Sequence, residues 1–402
     1  MENKKLDLLA LASIPLVMTL GNSMLIPVLP IIEKEINISA FQSSLIITVY
    51  SVVAIILIPF AGILSDKIGR KKVIIPSLII AGGGGVLSAF AAWSLDNPYM
   101  LILIGRFLQG IGASGAFPVV IPTVGDMFKD EEKVSAGLGL IETSNTFGKV
   151  LSPIIGALLA IWLWYLPFIS IPFFSAIAII LVWFLVKTPK QDEEEEKPQF
   201  TEVMKKLKQV FHDNGRWLLN TFFIGCINMF VLFGFLFHLS TLLEKQYQVE
   251  GVNKGFILAV PLLFLCIASY TAGKKIGKSK VVMKWTILAG NLLAAGSLLF
   301  VNSDQSLIFI TTLLSVAGIG IGVSLPCLDA LITEGVKKDV RGTITSLYSS
   351  MRFLGVAAGP PVIAILMDRF NGMLYYSLAG FSVIAALLTF FAIKPSAEDQ
   401  SA

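Results

Sequence analysis

Long apolar runs recur along the whole chain, and short polar segments separate them. A helix of about 20 apolar residues crosses roughly 30 Å of hydrocarbon, so each run is long enough to span a membrane. The first run is long, contains Pro27 and Pro30, and is followed at once by another apolar run, which indicates a retained span rather than a signal peptide. The pattern predicts an all-α integral membrane protein with twelve spans, whose approximate cores are 8–32, 42–64, 73–93, 99–122, 136–160, 164–187, 217–240, 255–273, 282–301, 306–328, 343–367 and 374–394.

The composition supports a membrane location. Of the 402 residues, 55% are hydrophobic and 14% are charged, whereas soluble domains carry about 25% charged residues. The mean hydropathy is +0.79. The net charge of +4 gives no support for binding to nucleic acid, and three cysteines and two histidines suggest neither a disulfide framework nor a metal site. No cofactor is therefore expected.

The lysines and arginines are distributed unevenly among the predicted loops. If the N-terminus is cytoplasmic, 24 of the 31 basic residues fall in cytoplasmic segments, four fall in outer loops and three fall within spans. Cytoplasmic loops of membrane proteins hold the excess of basic residues. Both termini are therefore predicted to be cytoplasmic.

The longest polar segment, 188–216, separates two predicted six-helix bundles, 1–187 and 217–402. Apolar residues at helical spacing in this linker predict an amphipathic helix on the inner membrane surface. The two bundles also repeat, because corresponding residues are 207 or 208 positions apart, and two six-span halves are typical of secondary transporters. The corresponding pairs are Gly69 and Gly277, Pro118 and Pro326, Gly148 and Gly355, and Pro153 and Pro360.

The loop between spans two and three, residues 62–72, reads GILSDKIGRKK. It resembles the signature loop of the major facilitator superfamily, Gly-x-Leu-x-Asp-x-x-Gly-Arg-Lys/Arg-Lys/Arg, at every defined position. The resemblance implies two pseudo-symmetric six-helix bundles, a substrate site near the midplane between them, and transport by alternating access.

The same resemblance assigns conformational gating to this loop. Gly62 belongs to the signature, and Gly69 permits a tight turn. Asp66 is expected at the N-terminus of span eleven, where the helix dipole favours an anion, and Arg70 is expected to pair with Asp126 below span four. These contacts would hold the outward-open state. The alternative, that the basic cluster only sets the topology, leaves Asp66 unexplained.

An arginine lies within span four, in the segment 106–112, RFLQGIG. Insertion of arginine at this depth costs about 2.5–3.5 kcal/mol, so Arg106 is expected to face the protein interior and to have a partner or a role. The segment is similar to the Arg-x-x-x-Gly-x-Gly pattern of proton-coupled members of the superfamily. The resemblance implies a part in proton coupling for Arg106.

Span five resembles the antiporter motif of drug:proton exporters, Gly-x8-Gly-x3-Gly-Pro-x2-Gly, which begins here at Gly139. Ser152 stands where the third glycine is usual. Small residues allow close helix contact and proline bends a helix, which assigns Gly148 and Pro153 to conformational gating. Importing symporters generally lack this motif, so its presence favours export. Generic small-residue packing is the alternative.

Four polar residues of span five, Glu142, Asn145, Lys149 and Ser152, lie on one helical face, at i, i+3, i+7 and i+10. Glu142 and Lys149 are about 10 Å apart along the axis, too far for a local ion pair. We predict that this stripe lines a central cavity, where Glu142 takes and releases a proton while Asn145 and Lys149 contact the substrate. Alternatively, neighbouring helices neutralise both charges.

Further candidates lie on spans one, seven, ten and eleven. Tyr348 and Arg352 share a polar stripe on span eleven, and Asn22 and Asn228 are polar residues of the apolar spans one and seven. All four are predicted substrate contacts. Asp329, near the inner end of span ten, is a second candidate proton site or, alternatively, a residue of the cytoplasmic vestibule.

These features predict a monomeric secondary transporter of a bacterial plasma membrane and not an enzyme. It resembles the twelve-span drug:proton antiporters and is expected to export amphiphilic drugs or small metabolites in exchange for protons. Because three cations but only one clear midplane acid lie within spans, a dedicated exporter of an anionic metabolite such as a siderophore is the alternative. A proton-coupled import symporter is a third. The sequence has no Walker-type phosphate loop, which argues against direct use of ATP.

Overall fold

A computed structural model describes residues 2–128, 131–186, 200–275, 279–302, 304–336 and 338–393. Within these ranges the chain forms thirteen α-helices. They are α1 Glu2–Ser23, α2 Leu29–Glu35, α3 Ala40–Ile68, α4 Arg70–Ser94, α5 Tyr99–Met127, α6 Glu131–Trp162, α7 Leu166–Leu185, α8 Phe200–Lys245, α9 Gly251–Lys275, α10 Lys280–Leu299, α11 Leu307–Gly335, α12 Lys338–Arg369 and α13 Leu374–Ala392.

Twelve segments of the described chain are long and apolar enough to cross a membrane, which confirms the predicted number of spans. The first span consists of α1, a 3-10 turn at Ile26–Val28, and α2. Pro27 and Pro30 interrupt it because they lack the N–H groups that a continuous helix needs. Spans two to six are α3–α7, and spans seven to twelve are α8–α13. Large apolar side chains such as Trp93 and Phe184 are 71% and 73% exposed, as suits a surface that faces lipid.

Local sequence determines several helix ends. Ser39 begins α3 with a capping box, in which its hydroxyl accepts the Gln42 N–H at 3.2 Å and Gln42 Oε1 accepts the Ser39 N–H at 2.9 Å. α3 and α4 meet at Gly69, which has a φ of +102°. A residue with a Cβ is strained in this conformation, so the glycine allows the chain to turn between two consecutive helices.

The chain divides into two compact units, Met1–Lys197 with Glu250–Gly255, and Pro198–Val249 with Phe256–Ala402. In the first unit α1 packs along α6 and α7, and α4 packs along α5 and α7. In the second unit α8 packs along α12 and α13, and α10 packs along α11 and α13. Corresponding spans of the two units therefore make the same pairings, as expected for the internal repeat of the sequence.

Span seven begins differently from the expectation. The start of the predicted linker, residues 188–199, lies outside the described residues. From Phe200 onward, the amphipathic stretch and span seven form one helix, α8, which runs for 46 residues. Gly215 is the single glycine between the two parts. One glycine destabilises a helix by only about 1 kcal/mol, so it does not end α8. Phe211, in the amphipathic part, packs edge-on against Phe222, with ring centroids 6.3 Å apart.

Candidate functional site

The guanidinium of Arg106 is completely buried in the first unit. Its Nε donates to the Ile46 carbonyl on α3 at 2.7 Å, and Nη1 donates to the Gly21 carbonyl on α1 at 3.2 Å. Nη1 also donates to Gln109 Oε1, and Nη2 donates to Asn22 Oδ1 at 2.5 Å. Arg106, which lies on α5, thus ties three helices together, and the structure brings the predicted residues Arg106 and Asn22 into direct contact.

All four of these acceptors are neutral, so dipoles rather than a carboxylate stabilise the buried charge. The ring of Tyr50 on α3 adds a cation–π contact, with its centroid 4.6 Å from Arg106 Cζ. Sequence reasoning missed both Tyr50 and Gln109. Gln109 could have been found, because it lies three residues after Arg106 and therefore on the same face of α5.

α6 lies against α1 along a row of small and polar residues. Ser144 Oγ donates to the Ala12 carbonyl at 2.7 Å. Ser152 Oγ donates to the Gly148 carbonyl at 2.5 Å and reaches the Thr19 carbonyl at 3.5 Å. The hydroxyl of Ser152 is therefore accommodated by backbone acceptors at the position where the motif usually has glycine.

Two glycines set the distance between α1 and α6. A Cβ added at Gly148 would lie 3.3 Å from Thr19 Cβ, which is tight but can be relieved by small shifts. A Cβ added at Gly156 would collide with the carbonyl oxygen of Met24. Pro153, between them, removes one backbone hydrogen bond from α6. The close approach of the two helices at this interface therefore depends on the motif residues.

Glu142 and Asn145 are joined by this interface. Thr19 Oγ1 donates to Asn145 Oδ1 at 2.6 Å, and Asn145 Nδ2 lies 3.3 Å from each oxygen of Glu142. Glu142 is half-buried, whereas Asn145 and Lys149 are only 6% and 8% exposed. Sequence reasoning missed Thr19, because no pattern in the chain tells which residue of α1 faces Asn145.

The signature loop connects the ends of α3 and α5. Arg70 Nε lies 3.0 Å from Asp126 Oδ2, and Arg70 Nη1 donates to Ser65 Oγ at 2.7 Å. Ser65 in turn donates to the Gly62 carbonyl at 2.7 Å. The expected pairing of Arg70 with Asp126 is therefore present in the structure. The side chain of Asp66 lies outside the described part of the chain.

The neighbouring lysines differ from each other in their surroundings. Lys71 Nζ donates to the carbonyls of Trp183 and Val186, at 2.6 and 3.2 Å, where α7 ends. The helix dipole favours a cation at this position. Lys72 is exposed. Part of the basic cluster therefore stabilises the first unit itself.

A second polar cluster lies in the second unit. Arg352 Nη1 on α12 is 3.4 Å from Asp329 Oδ1 on α11, and the guanidinium lies 5.7 Å from the ring centroid of Tyr348. The Tyr348 ring is 2% exposed and packs against Phe222 on α8, with centroids 5.9 Å apart. The structure therefore joins the predicted proton-site candidate Asp329 to the predicted substrate contacts Arg352 and Tyr348.

Asn228 lies on α8, the helix that packs against the Tyr348 ring through Phe222 and Gly225. A Cβ added at Gly225, one helical turn earlier, would clash with the Tyr348 ring, which shows how closely α8 and α12 approach here. Asn228 is 2% exposed, and its Nδ2 has no hydrogen-bond partner among the residues that the structure describes. A buried amide of this kind offers two donors to a ligand.

The described part of the chain has twelve apolar spans in two units of matching pairings, with buried charged and amide side chains within the spans, as in a multi-pass membrane transporter. The chain belongs to the major facilitator superfamily, whose family model matches residues 11–360 and 284–402.

Three known proteins of bacteria and human illustrate the likeness. The bacillibactin exporter of Bacillus subtilis (strain 168) is 54% identical over 98% of this chain and 98% of that protein. Multidrug resistance protein 2 of the same organism is 26% identical over 96% of this chain and 94% of that protein. The solved structure of the human organic anion transporter MFSD10 has a TM-score of 0.73 at 17% identity, covering 96% and 99% of the two chains, and thus shares the fold.

Proposed function

We propose that this protein exports an anionic small molecule of the siderophore class from the bacterial cytoplasm in exchange for protons, by alternating access. The observation that carries the proposal is the 54% identity to the bacillibactin exporter over 98% of both chains. The matched region covers 98% of both chains and therefore extends over all twelve spans. The proposed location is the plasma membrane.

Two cations within the spans, one buried and one partly buried, support an anionic cargo. Lys149, which is 8% exposed, and Arg352, whose guanidinium lies beside Asp329, are the cations proposed to bind the cargo. Arg106 is held in place by four neutral acceptors. Asn145, Asn228 and Tyr348 are proposed as additional contacts, since anionic oxygens need hydrogen-bond donors in a desolvated site. Asn22 is proposed to contribute through its hold on Arg106.

Glu142 is the proposed proton carrier, with Arg106 supporting the site and Asp329 as a second candidate. One charge moving across 100 mV releases about 2.3 kcal/mol, while a tenfold gradient requires about 1.4 kcal/mol. Export of an anion from a negative interior moves charge in the same sense as proton entry. Both the pH gradient and the potential should therefore drive transport of an anionic cargo.

Drug efflux is the second candidate function. It is supported by the likeness to multidrug resistance protein 2 and to the class E tetracycline resistance protein of Escherichia coli, which is 24% identical over 92% of this chain and 91% of that protein. Cationic drugs would respond oppositely to the membrane potential, because their export is opposed by a negative interior. The two candidates can therefore be separated by experiment.

The test uses inverted membrane vesicles with an acidic lumen and a choice of two probes, bacillibactin and ethidium. We expect bacillibactin to accumulate in vesicles that contain the protein, to be released by the proton–potassium exchanger nigericin, and to accumulate more when the lumen is made positive. Vesicles without the protein are the control. Accumulation of ethidium alone would favour drug efflux, and accumulation of neither probe would reopen import.

The orientation is also a proposal, with both termini in the cytoplasm. It is supported by the 24 basic residues that this orientation places in cytoplasmic segments. A green fluorescent protein fused to the C-terminus should fluoresce, and an alkaline phosphatase fused at the same place should be inactive. An active phosphatase would contradict the proposed topology.

A further inference from the structure

Two hydrogen bonds fix the direction in which the side-chain amide of Asn145 points. An ionised carboxylate can only accept hydrogen bonds, so Nδ2 must face Glu142 and Oδ1 must face Thr19. The Thr19 hydroxyl then donates to Oδ1 at 2.6 Å. Thr19 thus donates to Asn145, and Asn145 donates to the carboxylate, which is the arrangement that suits ionised Glu142.

Protonation of Glu142 reverses the requirement. A protonated carboxyl offers an O–H group, and Asn145 Oδ1 can accept it once the amide has rotated by about 180°. The rotation turns Nδ2 toward Thr19, whose hydroxyl can accept a hydrogen bond as readily as it donates one. The Thr19 hydroxyl is therefore compatible with both states, whereas an apolar side chain at this position is compatible with neither.

Few other charged residues lie near the carboxylate of Glu142. α7 carries no charged residue, and Lys149, the nearest charge along α6, lies two helical turns from Glu142. The side chain of Glu142 accepts hydrogen bonds from Asn145, and the described residues provide no second donor. The remaining charges on α6 and on the helices packed against it are Glu2, Lys4, Lys5 and Asp7 on α1, Arg106 and Asp126 on α5, Glu131, Glu132 and Lys133 at the start of α6, and Lys254 at the start of α9, which packs against α6 beyond Lys149, near Pro153 and Ala157.

We propose that Thr19 and Asn145 form a reversible hydrogen-bond switch that transmits the protonation of Glu142 to α1. This inference rests on the proposed proton-coupled export and assigns Thr19 as a positioning residue. Gly148 permits the short distance between α1 and α6 that the switch needs. Gly21 and Asn22, which hold Arg106, follow Thr19 within one turn of α1, so the switch and the Arg106 cluster share one helix segment.

The test compares two activities of the same vesicles. One is accumulation driven by a pH gradient, and the other is exchange of labelled for unlabelled probe at equal pH, which needs cargo movement but no net proton transfer. The probe is bacillibactin, or ethidium if wild-type vesicles accumulate only ethidium. Thr19→Val is compared with Thr19→Ser, with Glu142→Gln, and with Ser13→Ala, which removes an α1 hydroxyl that bonds only its own helix.

We expect Thr19→Val to lower gradient-driven accumulation by about tenfold, the factor that corresponds to loss of one hydrogen bond, while exchange at equal pH is retained. Thr19→Ser and Ser13→Ala should match the wild type. If Thr19→Val does not fold, the smaller Thr19→Ala provides the same comparison.

Three outcomes would overturn the switch. Wild-type accumulation by Thr19→Val, while Glu142→Gln is inactive, would remove the role of Thr19 and leave the proposed function standing. Equal loss of accumulation and exchange in Thr19→Val would show a purely structural role. Unchanged accumulation in Glu142→Gln would remove the proton role of Glu142 and the switch with it.

Discussion

Asn22 Oδ1 accepts a 2.5 Å hydrogen bond from Nη2 of Arg106, at a place where both side chains are buried. The pair joins span one to span four by the contact of a neutral amide with a full charge. If the acceptor of a buried charged donor is removed, the folded state is destabilised, because the donor stays out of water and no water molecule replaces the lost acceptor. Replacement of Asn22 is therefore expected to lower the stability of the folded protein, and to affect transport only through that loss.

Replacement of Asn22 by leucine should lower the free energy of unfolding by about 1–3 kcal/mol. The measurement is the fraction of monodisperse purified protein that remains after heating. Asn22→Asp should retain stability, because a carboxylate beside Arg106 forms a charge-assisted bond. Asn220→Leu is the matched control, as Asn220 is only partly buried and its amide makes an exposed hydrogen bond to the carbonyl of Arg216 on its own helix. Equal melting of Asn22→Leu and wild type would contradict the prediction.

The number of spans could be predicted from sequence because a membrane sets a minimum length for an apolar helix. The interruption of span one could also be explained, since Pro27 and Pro30 remove backbone donors. The continuity of α8 could not be foreseen. Its amphipathic part and its apolar part both favour a helix, and one glycine between them is too weak a signal to decide whether the helix ends.

The candidate site was predictable only in part. The burial of Arg106 followed from the cost of inserting a charge, but two of its acceptors are the backbone carbonyls of Gly21 and Ile46. Any residue type supplies a carbonyl, so no pattern marks these positions. Thr19 illustrates the same limit, because the face of α1 that meets Asn145 depends on helix packing between distant segments.

The glycines of α6 should tolerate alanine in a fixed order. A Cβ at Gly139 meets no atom within 4 Å, a Cβ at Gly148 makes tight side-chain contacts, and a Cβ at Gly156 collides with backbone. Gly139→Ala should therefore be neutral, Gly148→Ala mildly destabilising, and Gly156→Ala destabilising by about 1–3 kcal/mol or more. The same heating assay checks the order. A Gly156→Ala variant as stable as Gly139→Ala would show that α1 and α6 are less tightly packed.

Variants of Arg70 and Asp126 can distinguish a gating role of the signature loop from a role in setting the membrane topology alone. Asp126 is 48% exposed, and exposed ion pairs contribute only about 0–1 kcal/mol, so Arg70→Gln and Asp126→Asn should both fold normally. If the pair gates the transporter, both variants should slow gradient-driven uptake by a similar factor. Lys72→Gln removes an exposed charge from the same loop and should transport normally. Equal slowing in all three variants would instead favour a topological role for the cluster.

Asp329 and Arg352 are expected to act as a coupled pair, since Arg352 Nη1 lies 3.4 Å from Asp329 Oδ1 on the adjacent helix. Loss of one partner leaves the other charge partly buried, with side-chain exposures of 15% for Arg352 and 32% for Asp329. Each single neutralisation, Asp329→Asn or Arg352→Gln, should therefore reduce the yield of folded protein more than the double variant does. A double-mutant cycle on thermal stability checks this coupling.

Transport by the same double variant separates the two roles open to Asp329. If Asp329 carries a coupling proton, gradient-driven accumulation stays lost in the double variant even though folding recovers. If Asp329 only balances Arg352, coupling returns while affinity for an anionic cargo falls, because the cation that would bind it has gone. We expect the second result. Protonation of Asp329 would release Arg352 to bind an anion, so the proton and the cargo would bind to the protein together. Joint binding of this kind is the linkage of a symporter, whereas an exporter of the proposed kind exchanges the cargo for the proton.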